Sequence, residues 1–243
     1  MCLNFQSFSV PARLAVLIPA HNEAATIDGI VRAAKEHLGG DVVVIDDAST
    51  DGTAQIARSA GATVLPLSCN LGAWGATQAG IRYALKANYQ QVMTMDADGQ
   101  HLPEYLPLLL TTLVSGEADV VIGACTERGS RARQLAWGYF RKLTGLGIED
   151  LTSGFRAYNK AAMRVLAAPE ATLLDYQDVG VLLLLRYARL RIQEIPVPMR
   201  ERDHGGSRVF PSWLVVGKYM LQTSLLCLAK VGMNGKRRVA MQR

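Results

Sequence analysis

Short β-branched apolar runs alternate with longer stretches of helical periodicity through the first half of this chain, and that alternation limits what it can fold into. The runs are Leu14–Ile18, Val42–Ile45, Thr63–Leu65, Gln91–Met95 and Val120–Ile122. Between them, Thr26–His37, Gly52–Ala60, Ala73–Ala87 and Pro103–Ser115 carry apolar residues at helical spacing. Strands that alternate with helices of this length indicate βαβ units and a mostly parallel sheet. The expected fold class is therefore α/β, a mostly parallel central sheet flanked by helices. Asp51 reads as a helix N-cap, and Pro103 sits in a first helical turn, where its fixed φ is tolerated.

The second half is less regular. Arg131–Leu143 reads as a basic helix, Gly154–Tyr158 as a strand and Ala161–Leu166 as a short helix. Asp178–Leu190 is strongly apolar and reads as a buried helix. Ile192–Met199 contains Pro196 and Pro198, so that strand belongs at a sheet edge or ends early. Arg200–Val209, with two adjacent glycines and alternating charges, reads as a mobile loop. No Ser/Pro-rich linker interrupts the chain. Residues 1–212 are thus expected to form one domain, with halves at about 13–123 and 124–212.

Residues 213–243 form a different kind of segment. Trp213–Val231 is apolar except for Lys218 and Lys230, and Lys236-Arg237-Arg238 follows. A membrane span needs about 20 apolar residues. A lysine at the bilayer centre costs about 2.5–3.5 kcal/mol, a cost avoided when the helix lies in the interface beside anionic headgroups. Three placements stay open: packed on the core or a dimer contact, interfacial, or spanning.

Bulk properties exclude some classes. The net charge of +5 on 243 residues is moderate, and the basic residues form no long patch, so nucleic acid is not an expected partner. The four cysteines are scattered, with neither zinc spacing nor a disulfide framework. The N-terminus lacks a basic start and an apolar signal core, so a cytoplasmic location is expected.

The chemistry gathers in three loops. Pro19-Ala20-His21-Asn22-Glu23 follows the first strand, Asp46-Asp47-Ala48-Ser49-Thr50-Asp51-Gly52-Thr53 follows the second, and Asp96-Ala97-Asp98 follows the fourth. All three fall at the carboxyl edge of the sheet, where open α/β folds bind ligands. Acidic residues at three such junctions repel one another unless a cation or ligand donors satisfy them. Two clustered hard oxygen ligands suit Mg²⁺ or Mn²⁺ held together with ligand phosphates. No Gly-x-Gly-x-x-Gly follows the first strand, which argues against a dinucleotide-dependent dehydrogenase.

These motifs carry a resemblance. Val16–Glu23, Val44–Thr53, Asn70-Leu71-Gly72 and Met95–Asp98 look like the GT-A (Rossmann-like) fold of family 2 glycosyltransferases. Asp150-Leu151-Thr152-Ser153-Gly154-Phe155-Arg156 and Arg202–Arg208 resemble its polyprenol-phosphate branch, the dolichol-phosphate mannose synthase-like enzymes. The resemblance implies a nucleotide pocket lined by Pro19, Ala20, Asn22 and Glu23, with Asp47, and Asp46 beside it, as the acceptors for the base and Asn70 and Gly72 beside the nucleotide. It implies that Asp96 and Asp98 hold the divalent ion on the diphosphate, with Gln100 as a possible further ligand. It also implies inversion at the anomeric centre.

A UDP- or GDP-sugar donor and a lipid-phosphate acceptor at the cytoplasmic face of a membrane, or beside a membrane-protein partner, are the partners this implies. An acceptor phosphate is already anionic, so it needs cations to position it rather than a strong base. Arg128, Arg131, Arg133 and Arg156 suit that role, since guanidinium matches phosphate bidentately. Ser207 and Arg208 join them from the 200–208 loop, where Arg202 would clamp a phosphate on closure. A hydroxyl acceptor on a glycan or glycolipid would instead need a base, for which Asp178 or Asp175 is the candidate. A non-catalytic nucleotide-sugar-binding subunit is a third reading, disfavoured by the intact Asp96/Asp98 pair. His21 and His101 are read as loop hydrogen-bonders.

Overall fold

The computed structural model describes residues 13–128, 131–174, 178–200 and 220–225, with the backbone alone at Arg128 and 131–133. The strands are β1 (Leu14–Ala20), β2 (Asp41–Asp46), β3 (Thr63–Pro66), β4 (Gln91–Thr94), β5 (Val120–Ala124), β6 (Arg156–Asn159) and β7 (Ile192–Pro196). They form one sheet in the order β3-β2-β1-β4-β6-β5-β7. The first half supplies the expected βαβ units: β1 pairs in parallel with β2 and β4, and β2 with β3. β6 runs antiparallel between β4 and β5, while β5 and β7 are parallel. β7 is the edge strand and stops at Pro196, as its prolines require.

The helices are α1 (Ile27–Leu38), α2 (Thr53–Ser59), α3 (Gly72–Lys86), α4 (Leu106–Val114), α5 (Arg131–Thr144), α6 (Lys160–Ala167) and α7 (Val179–Tyr187). They cover both faces of the sheet. On one face α1 and α4 bury Ile27, Val31, Leu106 and Leu109 against Val16, Val44 and Met93. On the other, α3, α5, α6 and α7 bury Trp74, Phe140, Met163 and Leu182 against Leu17, Ile45 and Tyr158. The strands feed both clusters because successive side chains alternate between the two faces. Two buried polar side chains of this second layer find partners within it. Trp74 Nε1 donates to the Ala171 carbonyl at 2.8 Å, and Gln78 Nε2 to that of Leu166 at 2.9 Å. The parallel strands all end at one edge, and the expected site loops leave from there.

Candidate functional site

Side chains stitch the loops after β1 and β2 together. Asn22 sits at φ 55°, a conformation asparagine tolerates better than most residues. Its N–H donates to Ser49 Oγ at 3.0 Å, and its Oδ1 accepts from Thr50 N at 2.8 Å. Glu23 N donates to Thr53 Oγ1 at 2.9 Å, and Ala24 N to Asp51 Oδ2 at 3.0 Å. Asp51 also accepts from Thr53 N at 3.1 Å, so it caps the start of α2 as expected. Slight burial pushes the Asp51 carboxyl up, but the hydrogen bonds from Thr53 and Ala24 outweigh it and hold it below its ordinary value. Pro19 and Ala20 close β1, and the Ala20 carbonyl accepts from Asp47 N at 2.8 Å.

Asp47 has a different local role from the one expected. It is 3% exposed, and its two oxygens accept from Leu71 N at 2.6 Å and Gly72 N at 2.9 Å. It therefore ties the loop after β2 to the start of α3. Gly72 adopts φ 75°, which presents its N–H to both Asp47 and Asn70 Oδ1. Asn70 Nδ2 contacts the Asp47 carbonyl at 3.4 Å. Asp46 is 6% exposed, and its Oδ1 accepts from Ser49 N at 3.3 Å, a turn-capping contact.

The loop after β4 joins this unit through Thr26 Oγ1, which donates to the Ala97 carbonyl at 2.7 Å. The Asp96 side chain stays 46% exposed. Asp98 Oδ1 accepts from Gln100 N at 3.1 Å. Gln100 Nε2 lies 3.4 Å from the Arg200 carbonyl. The Gln100 carbonyl in turn accepts from Arg200 N at 2.9 Å. His101, read from sequence as an ordinary loop residue, is 3% exposed and accepts from Asp96 N through Nδ1 at 2.9 Å. A lone histidine in a loop gives no sequence signal of this; its nearness to Asp96 is the only cue.

From the second half, Ser153-Gly154 meets the same edge. Thr94 Oγ1 donates to the Gly154 carbonyl at 2.7 Å, and Ser153 Oγ to that of Gly123 at 2.6 Å. A Cβ on Gly154 would lie 2.6 Å from Asp96 Oδ1, so a larger residue there would push the carboxylate out of its present place. Asp150 is fully buried and accepts from Cys125 N at 3.2 Å and Thr152 N at 3.1 Å. Beneath it, Glu194 accepts from Glu149 N at 2.7 Å and Asp150 N at 2.9 Å. Burial pushes the Glu194 carboxyl up, with these two N–H bonds pulling against it.

Two acceptor-side expectations need correcting. Arg156 is fully buried, and its Nε and Nη2 donate to the Ser153 and Leu151 carbonyls at 2.7 and 3.2 Å. It shapes the 151–155 segment from inside rather than facing an acceptor. Asp178 is 8% exposed and caps α7 by accepting from Gly180 N at 3.3 Å, a structural duty the base assignment did not include. The backbone places Arg131 and Arg133 in the first turn of α5 and Arg128 just before it. Asp175, Arg202, Ser207, Arg208 and most of Trp213–Val231 lie outside the described residues. Of that last segment, 220–225 is helical and touches α5 through Tyr139 Oη and Ser224 Oγ at 3.2 Å.

Among the described residues, no group of three or more His, Cys, Asp or Glu side chains could cage a metal. Mg²⁺ requires no such cage, since it sits on one or two carboxylates and takes substrate phosphates and water for the rest. Asp96 and Asp98 fit that requirement. Asp96 is solvent-accessible, and the bare Gly154 backbone leaves it space.

The family model for glycosyl transferase family 2 matches residues 15–168. The chain is 34% identical over 237 residues to an undecaprenyl-phosphate mannosyltransferase of Micrococcus luteus, covering 89% of this chain and 95% of that one. It is 30% identical to a polyprenol monophosphomannose synthase of Mycolicibacterium smegmatis, covering 81% of each chain. Among solved structures, glucosyl-3-phosphoglycerate synthase from Mycobacterium tuberculosis, in complex with Mn²⁺, UDP-glucose and phosphoglyceric acid, superposes with a TM-score of 0.70. That match covers 93% of this chain and 85% of the other at 21% identity, and it speaks to the fold.

Proposed function

The chain belongs to glycosyl transferase family 2 and is a glycosyltransferase, and from that premise we propose that it moves a sugar from a UDP- or GDP-sugar to a polyprenyl phosphate at a membrane surface, with Mg²⁺ or Mn²⁺ and inversion. One observation carries the acceptor assignment. The likeness to two enzymes named for polyprenyl-phosphate chemistry spans the acceptor half of the chain as well as the donor half.

The residues divide the work by charge. Asn22, Glu23 and the Asp46–Thr53 loop form a pre-tied rim for the nucleotide, and Asp47 holds the start of α3 against it. Asp96 and Asp98 would hold the divalent ion. As a Lewis acid, that ion would neutralise charge developing on the diphosphate leaving group. The sugar carbon becomes oxocarbenium-like, and the rigid loops keep it aligned with the incoming oxygen. A phosphate acceptor arrives already charged, so basic residues of α5 need only orient it. Asp178 can then remain a helix cap, because no strong base is required.

The membrane-surface reading rests on an apolar face. Leu135 (76% exposed) and Tyr139 lie one turn apart on α5, and Leu221 and Leu225 one turn apart on the adjoining helix. Lys142 is exposed on the same stripe of α5, which suits anionic headgroups. No helix among the described residues is long and apolar enough to cross a bilayer.

The test is direct. UDP- and GDP-sugars are screened with Mn²⁺ by thermal shift, since a ligand that binds only the folded state raises its melting temperature. The stabilising donor is then offered a short polyprenyl phosphate and a panel of glycan hydroxyls. A glycosyl phosphate is the expected product. Transfer to hydroxyls alone would overturn the acceptor assignment.

A further inference from the structure

We infer that His101, in its neutral Nε2–H form, is the positioning residue that sets the Asp96 carboxylate for the metal–diphosphate group. The inference rests on the reading of Asp96 and Asp98 as the metal carboxylates. It starts from a proton count. A backbone N–H can only donate, and Asp96 N points at His101 Nδ1 at 2.9 Å. Nδ1 must therefore offer its lone pair, which leaves the ring proton on Nε2. Nε2 faces the carboxylate of the same aspartate, 3.7 Å from Oδ2. One imidazole thus holds the backbone of Asp96 by a hydrogen bond and faces its carboxylate from beyond hydrogen-bond distance.

The ring is well placed for this. It is 3% exposed and stacks on Phe155 with centroids 5.0 Å apart and planes 17° apart. Its backbone bridges Met199 in antiparallel fashion, and the neighbouring Gln100 carbonyl accepts from Arg200 N. The histidine is therefore held by the end of the chain's second half as well as by its own loop. On another side of the carboxylate lies the bare Gly154 backbone, where a Cβ would come within 2.6 Å of Asp96 Oδ1. The imidazole edge and the bare Gly154 backbone flank the Asp96 carboxylate, which stays 46% exposed. Contacts behind a metal ligand orient it, and their loss commonly weakens metal affinity.

The experiment separates the two nitrogens. H101N keeps an acceptor near the Nδ1 position and drops the Nε2 donor, whereas H101Q keeps a donor near the Nε2 position. Binding of Mn²⁺ with UDP, and in parallel with GDP, is measured by calorimetry alongside the unliganded melting temperature. We expect H101N to melt near the wild type but bind Mn²⁺–nucleotide about 10- to 100-fold more weakly, with H101Q within about threefold of wild type. Wild-type-like binding by H101N, or equal weakening in both variants, would overturn the inference. Failure of the wild type to bind Mn²⁺ with either nucleotide would overturn the metal reading and this inference together. A nitrogen-15 spectrum of the unliganded protein gives a metal-free readout: unprotonated Nδ1 is expected, and protonated Nδ1 counts against the assignment.

Discussion

The donor half and the acceptor half build their parts of the cleft in opposite ways. From β1 to the loop after β4, polar side chains at the sheet edge tie one loop to the next: Asn22 to Thr50, Glu23 to Thr53, Asp47 to Leu71 and Gly72, Thr26 to Ala97. In the second half the ties lie underneath. Asp150, Ser153, Arg156 and Glu194 are engaged below the 149–155 segment, and on α5 the outer face is left with Leu135 and Tyr139. The first arrangement fixes a small charged group in one geometry. The second supports a surface that a long apolar chain can lie against. On the proposed reading, the difference teaches that a diphosphate would be met by organised polar groups and a lipid acceptor by exposure.

Changes on either side of this contrast should have unlike signatures. The largest effect is expected at Asp98→Ala, with transfer falling about a thousandfold or more as several kcal/mol of charge neutralisation is lost. Steady-state rates with saturating Mn²⁺ measure it, and activity near wild type would remove the metal reading. Asp47→Ala should instead cost stability, about 2–4 kcal/mol, by leaving two backbone N–H groups of α3 without their acceptors. Denaturant unfolding reads this directly. If Asp47→Ala unfolds like the wild type while nucleotide binding collapses, Asp47 belongs to the base after all.

Gly154→Ala sits where the halves touch. Its Cβ would press on the end of the Asp96 side chain, so we expect a native melting temperature with Mn²⁺–nucleotide affinity lowered about tenfold, as for a misplaced ligand. Equal affinity would mean that Asp96 relaxes freely. Leu135→Ser should leave rates on a water-soluble short acceptor unchanged and weaken flotation with anionic vesicles by up to about tenfold, given about 1.5 kcal/mol or more for burying a leucine. Unaltered flotation would detach the α5 face from the membrane.

The smallest effect is expected at Asp119, where β5 meets β7. The hydrogen bond from Arg191 leads several that hold its carboxyl below the usual value of 3.8. A lowered carboxyl stabilises the fold above its unfolded value and loses that contribution as the pH falls through its folded value. The melting-temperature gap between wild type and Asp119→Asn should therefore narrow as the pH drops below about 3.8. A gap that stays constant would show that charge is not its source.

Much of the donor half was legible in the sequence because its signals are local. Continuous apolar runs gave β1, β2, β4 and β5 within a residue or two, and the strand-end positions of Asn22, Asp46 and Asp96 followed. The roles within that edge were less legible. Asp46 and Asp47 are adjacent and chemically alike, and only the approach of Leu71 and Gly72 distinguishes them. Arg156 read as a phosphate cation because nothing nearby in sequence announces that the segment before it folds back to take its guanidinium. His101 was passed over for the same reason, since its burial comes from Phe155, far along the chain. Strand order was equally hidden: the placement of β6 depends on pairing between distant segments.

That strand carries a consequence for how such a protein can be cut and recombined. With β6 seated between β4 and β5, the donor half has no complete sheet of its own. Ending the chain after β5 would leave facing edges of β4 and β5 unpaired, an open template for association with other chains. The two halves therefore cannot be traded between relatives as cassettes. On the proposed reading, a change of acceptor would come by point substitution on the surface of α5 and its neighbours, with the interleaved strand left in place.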